Sequence, residues 1–298
     1  MFKLLFKQTS VAVKQGLEAP SLPTISATKT LVFSNLAIHL DQYAAMTSWP
    51  ARFQHIIHPA YLAMAALNVQ KPLIAHPEQP FAGLGIVHMG NNMSYRRLLT
   101  RDDKAVMNCR FGQIWEHKLG WVFAVETDVK VDEHVVMTLS SHYLSRQQHK
   151  AQQSGLPPYQ PNKIALAHDA ALQPLMPQPL PIESSLGRRY ACLSGDYNPI
   201  HLGHWGAKMF GFKRAFIHGM WTKASLLSHW FAQCDDDIVD KAWDINVQFM
   251  NFVYMPGQIQ FVTEQTIKPE QATYVVAGMP EYYDASTKPY ILASITRT

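Results

Sequence analysis

The segment Leu193-Ser194-Gly195-Asp196-Tyr197-Asn198-Pro199-Ile200-His201 is followed, after a short gap, by Gly211-Phe212 and then Ile217-His218-Gly219-Met220. Its first part sets a carboxylate and an imidazole five residues apart in a stretch bent by Gly, Asn and Pro. Its second part reads as the entry to a helix, with Gly219 placed where a backbone N–H can meet an anion. Acid, base and anion site fall within the 24 residues from Asp196 to Gly219. Asp-x-Asn-Pro alone is also a common turn, in which Asp or Asn bonds its own backbone. The downstream block favours chemistry over a plain turn.

Outward from this stretch, a strand is expected at Arg188–Leu193 and a helix over Ile217–Ala232. Trp243, Ile245, Val247 and Phe249 then alternate with Asp244, Asn246 and Gln248, as in a strand with one wet face. Met255-Pro256-Gly257 turns the chain, and 258–266, 273–278 and 290–296 continue as strands. The first half has the same order. A helix over Ile56–Val69 starts at His58-Pro59, with proline in its first turn. Strand-like runs follow at Phe81–Met89, Val106–His117, Gly120–Lys130 and Val135–Arg146. In each half, one helix and four or five antiparallel strands imply a sheet curled around the helix.

The two halves align. Ile57-His58-Pro59-Ala60-Tyr61 matches Ile217-His218-Gly219-Met220-Trp221 at an offset of 160. Tyr43–Trp49 matches Tyr190–Asp196 at an offset of 147. The difference, 13 residues, is what the first copy lacks, and it covers the Asn-Pro-Ile-His segment. The first copy also has Trp49 for Asp196 and Pro59 for Gly219. Only the second copy keeps the polar groups. Between them, seven of the chain's 19 prolines fall from Pro157 to Pro181. Proline resists both helix and sheet, so this reads as a linker, with His168-Asp169 in it as a solvated turn. The division is therefore residues 1–150, a linker at 151–183, and 184–298.

Composition limits the function. Of 298 residues, 47% are hydrophobic and 16% charged, enough for a sizeable core. A net charge of +4 without a dense Lys/Arg block gives no reason to propose nucleic acid. Cys109, Cys192 and Cys234 are few and far apart, as for reduced thiols in a cytoplasmic protein. No apolar run has the length of a membrane span. Met1–Ala19 carries Lys3, Lys7 and Lys14 before any acid, and lacks the continuous apolar core of a secretory signal. It reads as an arm on the folded body, with a transit-type or membrane-surface segment as the other reading.

The Ser194–His201 motif, with Gly211-Phe212 and Ile217-His218-Gly219-Met220, resembles the MaoC-like, hydratase-2 group of hot-dog-fold proteins. The likeness is strong over about residues 187–232 and general elsewhere, through the two-copy layout. It implies an α+β double hot-dog, each sheet wrapped around a central helix. It implies (R)-specific hydration of trans-2-enoyl thioesters, or dehydration of (3R)-3-hydroxyacyl thioesters, carried on coenzyme A or an acyl carrier protein. No cofactor is expected. In such a family the first copy lacks the catalytic pair and shapes the acyl-chain cavity. Phe216 is bulkier than the family's usual residue before the His-Gly pair.

Hydration needs a water to lose a proton and attack C3, and a proton to reach C2. Negative charge builds meanwhile on the thioester oxygen. By resemblance, Asp196 and His201 hold that water and exchange its protons. The Gly219 N–H, at a helix start, donates to the enolate oxygen, and glycine leaves the thioester room to approach. Asn198 and Pro199 are scaffold, and His218 reads as a structural histidine at the helix start. His201, His204 and Asp196 imitate a metal cluster without a metal site's partner set, so no metal is expected. Lys208, Lys213 and Arg214 are candidates to meet phosphates or an acidic carrier surface, or form a solvated face. A non-catalytic acyl-thioester-binding or scaffold protein, or a thioesterase, would use the same fold. Both a monomeric pseudo-dimer and a homodimer fit a two-copy chain.

Overall fold

The computed structural model describes residues 20–81, 86–146, 155–162, 164, 166, 172–264, 273–281 and 287–298. His168-Asp169 and the basic segment Met1–Ala19 lie outside the described residues. The chain forms two compact units. One gathers the described residues of Met1–Leu31, Ala66–Met93 and Lys104–Lys163; the other gathers those of Val32–Ala65, Ser94–Asp103 and Ile164–Thr298.

The first unit holds β1 (Ser26–Val32), β2 (Ile86–Tyr95), β3 (Lys104–His117), β4 (Gly120–Val131) and β5 (His134–Arg146), ordered β1-β3-β4-β5-β2. Strands β3, β4 and β5 lie close to the expected spans, β2 starts and ends later than the expected Phe81–Met89, and β1 was not expected. The two-residue period holds in β4 from Val125 to Val131, where Glu126, Asp128 and Lys130 are the less buried residues. From Gly120 to Ala124 β4 is buried on both faces, so no alternation shows there. The core forms where Val69 and Leu73 of helix α2 (Pro59–Ile74) meet Cys109, Phe123, Val125 and Tyr143. Helix α2 begins with proline, as expected, because Pro59 has no N–H to leave unsatisfied there.

The second unit has α1 (Ala37–Thr47), α3 (Leu186–Ser194), α4 (Pro199–Leu202), α5 (His204–Met209) and α6 (Gly219–Ala232). Its longer strands are β8 (Trp243–Phe249), β9 (Gly257–Thr263), β10 (Thr273–Met279) and β11 (Ile291–Arg297), close to the expected spans. The order is β8-β11-β10-β9. Helix α6 is the central helix of this unit. Every residue from Met220 to Phe231 except His229 is buried, the polar Thr222, Lys223, Ser225 and Ser228 among them, so the helix is enclosed nearly all round. Trp230 sits edge-on to Trp243 and Tyr274, with ring centroids 5.2 and 5.6 Å away.

Three expectations are corrected. Arg188–Leu193 is part of helix α3, not a strand. Buried Leu186, Gly187, Tyr190, Ala191, Leu193 and Ser194 have helical spacing, which the shorter window was too brief to show. One helix per half is too few: α1, α3, α4 and α5 are short and strongly tied to turns, so their periodicity is weak. The Pro-rich linker is not free of sheet. Its β6 (Gln173–Pro174) and β7 (Leu180–Ile182) pair with β9. Both are two- or three-residue edge pieces, where a missing proline donor is tolerated.

The two aligned blocks have matching local geometry. Helix α1 ends in left-handed Ser48 (φ 62°) and α3 in left-handed Gly195 (φ 70°). Before each cap a hydroxyl turns back on the helix: Thr47 Oγ1 donates to Tyr43 O at 2.8 Å, and Ser194 Oγ to Tyr190 O at 2.7 Å. Pro59 and Gly219 each open the next long helix. The 13 extra residues of the second block contain α4 and α5. Cys109, Cys192 and Cys234 are all free thiols. Among the described residues no helix is long and apolar enough to cross a membrane.

Candidate active site

The site is built on the end of α3. After the Gly195 cap, Ser194 Oγ accepts from the Asp196 N–H at 3.3 Å, which fixes where the acid leaves the helix. Asp196 Oδ1 accepts from Asn198 N–H at 3.3 Å, and Asn198 Oδ1 from Ile200 N–H at 3.4 Å. These are the side-chain turns that Asp and Asn favour, and Asn198 thereby caps α4 with Pro199 in its first turn. The motif thus forms the side-chain turn that Asp-x-Asn-Pro favours, with Asn198 and Pro199 at the start of α4. The turn directs His201 inward, where it is 8% exposed.

A carbonyl oxygen only accepts, so the His201 Nδ1, 2.8 Å from Phe216 O, is the donor. The basic lone pair of His201 is then on Nε2. Burial lowers the His201 pKa below the ordinary histidine value, while Asp196 and the Phe216 carbonyl push it back up. The net shift is downward, so the ring is neutral near pH 7 and able to take a proton.

His218 closes the cluster. It is the residue before α6 and is 2% exposed. Its Nε2 donates to the Asp196 carbonyl at 2.9 Å and lies 3.9 Å from Asp196 Oδ2. Its ring lies against His201, with centroids 3.8 Å apart. One donor atom each of Asp196, His201 and His218 lie within 4.8 Å of one another. One bridging water spans such a gap. The same three groups are what the described residues offer a cation, but one nitrogen of each histidine is already held by a carbonyl. His204 is not among them: it is exposed on α5 beside Trp205.

Gly219 opens α6, so its N–H is one that the helix leaves without an internal acceptor, at the positive end of the helix dipole. A Cβ there would lie 3.0 Å from two atoms of the Phe249 ring, so a side chain would crowd β8. Lys208, Lys213 and Arg214 are exposed, on α5 and the turn after it, and are not part of the buried cluster. Arg214 lies over the Tyr254 ring at 5.2 Å.

Three contributors were not assigned to the site from sequence. Phe216 acts through its carbonyl, which no residue type advertises; its ring also packs edge-on to His201 at 5.0 Å. His218 reads from the sequence as a structural histidine, with a place in the site as the other reading, and its contact with Asp196 becomes visible only when α6 and α3 are brought together. Gly187 is the third. A Cβ on it would come 2.0 Å from the His201 carbonyl oxygen and 2.6 Å from Met255 Cε. Only glycine lets α3 and α4 approach this closely; the helical period of α3, had it been recognised, places Gly187 on the buried face.

Known proteins share the fold and part of the sequence. The family model described as MaoC like domain matches residues 168–278. The 3-hydroxyacyl-thioester dehydratase X of Mycobacterium tuberculosis is 28% identical over 250 residues, covering 80% of this chain and 83% of the relative. The crystal structure of HtdX from that organism superposes with a TM-score of 0.71 at 22% identity, over 92% of this chain and 100% of the other. A MaoC-like dehydratase from Phytophthora capsici gives 0.68 at 18% identity, over 97% and 99%. The chain has the hot-dog fold of these proteins, and its residues 168–278, which hold Asp196, His201, His218 and Gly219, are the part similar to a MaoC-like domain.

Proposed function

We propose that the chain hydrates trans-2-enoyl thioesters reversibly, or dehydrates (3R)-3-hydroxyacyl thioesters, borne on coenzyme A or an acyl carrier protein. One observation carries this reading. Asp196 and His201 are close enough to share a water, and the Phe216 carbonyl holds His201 with its basic nitrogen unprotonated. In hydration, the water between Asp196 and His201 gives up a proton as its oxygen attacks C3. The enolate oxygen takes a hydrogen bond from the Gly219 N–H, strengthened by the dipole of α6. The proton returns to C2 from the same pair. No group outside this chain is needed to balance the step. His218 is a positioning residue, because it holds the Asp196 backbone and stacks on His201.

Residues 184–298 serve as the catalytic repeat and residues 1–150 as the repeat that shapes the acyl cavity, with 151–183 joining them. The compact units cut across this boundary because Val32–Ala65 packs with the later half. The similarity to a 3-hydroxyacyl-thioester dehydratase supports the reaction class. The test is loss of enoyl-thioester absorbance with trans-2-enoyl-CoA substrates of short and medium length. Asp196→Asn and His201→Ala should each lower turnover about 10²–10⁴-fold in a folded protein. Release of free thiol instead would mean a thioesterase. Equal turnover in wild type and both variants would remove the pair from the mechanism.

A further inference from the structure

The inserted segment that supplies His201 also supplies a face that the reaction does not use. On α5, Trp205 is 79% exposed and Met209 is 82% exposed. They are four residues apart, and so share one side of the helix. Lys208 is exposed beside Met209, and exposed Lys213 and Arg214 follow the left-handed turn at Gly211. The Phe212 N–H donates to Ala207 O at 3.1 Å, which holds that turn against α5. The Phe212 ring packs on Phe252, itself 36% exposed, with centroids 5.2 Å apart.

Charge is concentrated in the same stretch. Residues 186–214 contain Arg188, Arg189, Lys208, Lys213 and Arg214 and one acid, Asp196. Arg189 is paired with Glu183 at 3.0 Å, so the stretch from Glu183 to Arg214 carries a surplus of three positive charges. The face is also rigidly joined to the site. A Cβ on Gly206 would lie 2.2 Å from the Pro199 carbonyl oxygen, so α5 sits directly on the helix that bears His201.

We propose that this face docks an acidic acyl-carrier domain, with Trp205 and Met209 as apolar anchors and Lys208, Lys213 and Arg214 facing its acidic side chains. This rests on the thioester reading above and names the carrier. A free coenzyme would satisfy the cations through its phosphates but would leave Met209 uncovered. A carrier helix brings acids and apolar side chains together, and tryptophan ringed by basic residues is a typical anchor for such a contact. Docking beside α4 delivers a carrier-borne pantetheine arm to Asp196 and His201.

The test compares three crotonyl thioesters, on an acidic acyl carrier protein, on coenzyme A and on free pantetheine, using the full chain. Trp205→Ala/Met209→Ala and Lys208→Glu/Lys213→Glu should each lower kcat/KM for the carrier-borne substrate tenfold or more. The charge-reversal loss should shrink at high salt. Trp205→Ala/Met209→Ala should leave turnover of crotonyl-pantetheine within twofold of wild type. Equal losses with the coenzyme A and carrier substrates would overturn the proposal in favour of a nucleotide site. Unchanged kcat/KM with the carrier, or conversion of a dimer to monomers by Trp205→Ala/Met209→Ala without loss on the carrier, would overturn it too. If wild type turns over none of the three, the proposed reaction fails separately. Titration of the carrier protein against wild type and both variants then decides docking: tenfold weaker binding in the variants supports it, and equal or absent binding overturns it.

Discussion

The Tyr43–Tyr61 block and the Tyr190–Trp221 block are two versions of one device. Each has a helix ended by a left-handed residue, a tyrosine one turn before the cap, and a histidine just before a long helix. In the first, Trp49 lies against His58, ring centroids 4.4 Å apart, and Tyr43 is edge-on to the same ring. His58 is saturated. Its Nδ1 accepts from Ala60 N–H at 3.0 Å, and its Nε2 donates to Ala224 O at 3.2 Å. In the second, Asp196 replaces Trp49, and the place of the indole against the histidine is taken by the His201 ring. Seven residues join Trp49 to Ile57, whereas 20 join Asp196 to Ile217. The scaffold alone is therefore not a site. On the proposed function, what turns it into one is an acid where an aromatic would fill space, and an insertion long enough to bring a second imidazole.

Gly187 is where that insertion is most easily disturbed. Gly187→Ala forces a methyl group against the His201 carbonyl, and backbone cannot move aside as a flexible side chain can. Turnover should fall about 10–100-fold, as expected for a catalytic group shifted by a fraction of an ångström. The substrate KM should change little. The acid limb of the kcat/KM profile should move up toward the ordinary histidine range, because His201 loses part of its burial. An unchanged profile with reduced activity would mean general destabilisation, and the positioning role of Gly187 would be lost.

The two blocks should also differ under acid. Burial lowers the His58 pKa from 6.5 to about 3, opposed by the Ala224 carbonyl and reinforced by the charge of Lys223. A depressed folded-state value means that the unfolded chain binds the proton more readily. The stability from neutral His58 is thus present above pH 6.5 and lost as pH falls toward 3. The full span corresponds to a ceiling on the order of 5 kcal/mol. His142, lowered to about 4 by burial, adds to the same slope. Urea unfolding of wild type and His58→Gln from pH 7 to pH 4 measures this. The variant should show the flatter dependence, and parallel curves would move the acid sensitivity away from the first block.

The sequence carried this comparison further than it carried the elements. The His-Pro and His-Gly helix starts and the 13-residue difference were legible, and Asp196, His201 and Gly219 could be singled out as candidates, because these rest on residue types with specific chemistry. The long strands were legible because β8 alternates and β4 does so in part. Helix α3 was misread because Arg188–Leu193 spans less than two helical turns. The Phe216 carbonyl and the glycine contacts were not legible at all. Backbone groups leave no mark in composition, and a close approach needs both partners placed. The same limit hid Ser48, whose role depends on a backbone angle.

Ser48 offers the smallest and cleanest test of equivalence. It stands at φ 62°, where a Cβ is disfavoured, while its counterpart Gly195 adopts φ 70° without that cost. Both donate a cap N–H to the carbonyl four residues back, Ser48 to Ala44 and Gly195 to Ala191. If the two caps are the same structural element, Ser48→Gly relieves the strain in the first block. The gain should be about 0.5–1 kcal/mol, because glycine's greater freedom in the unfolded chain offsets part of the relief. Gly195→Ser should lose a similar amount, and it should also reduce turnover, since Asp196 is the next residue. Urea midpoints and crotonyl-thioester turnover measure the two effects. Opposite signs in stability, with turnover altered only on the Gly195 side, would show one scaffold used twice and made reactive once. A loss of stability in both would mean that Ser48 makes contacts of its own, and that the likeness between the caps ends at their backbone angle.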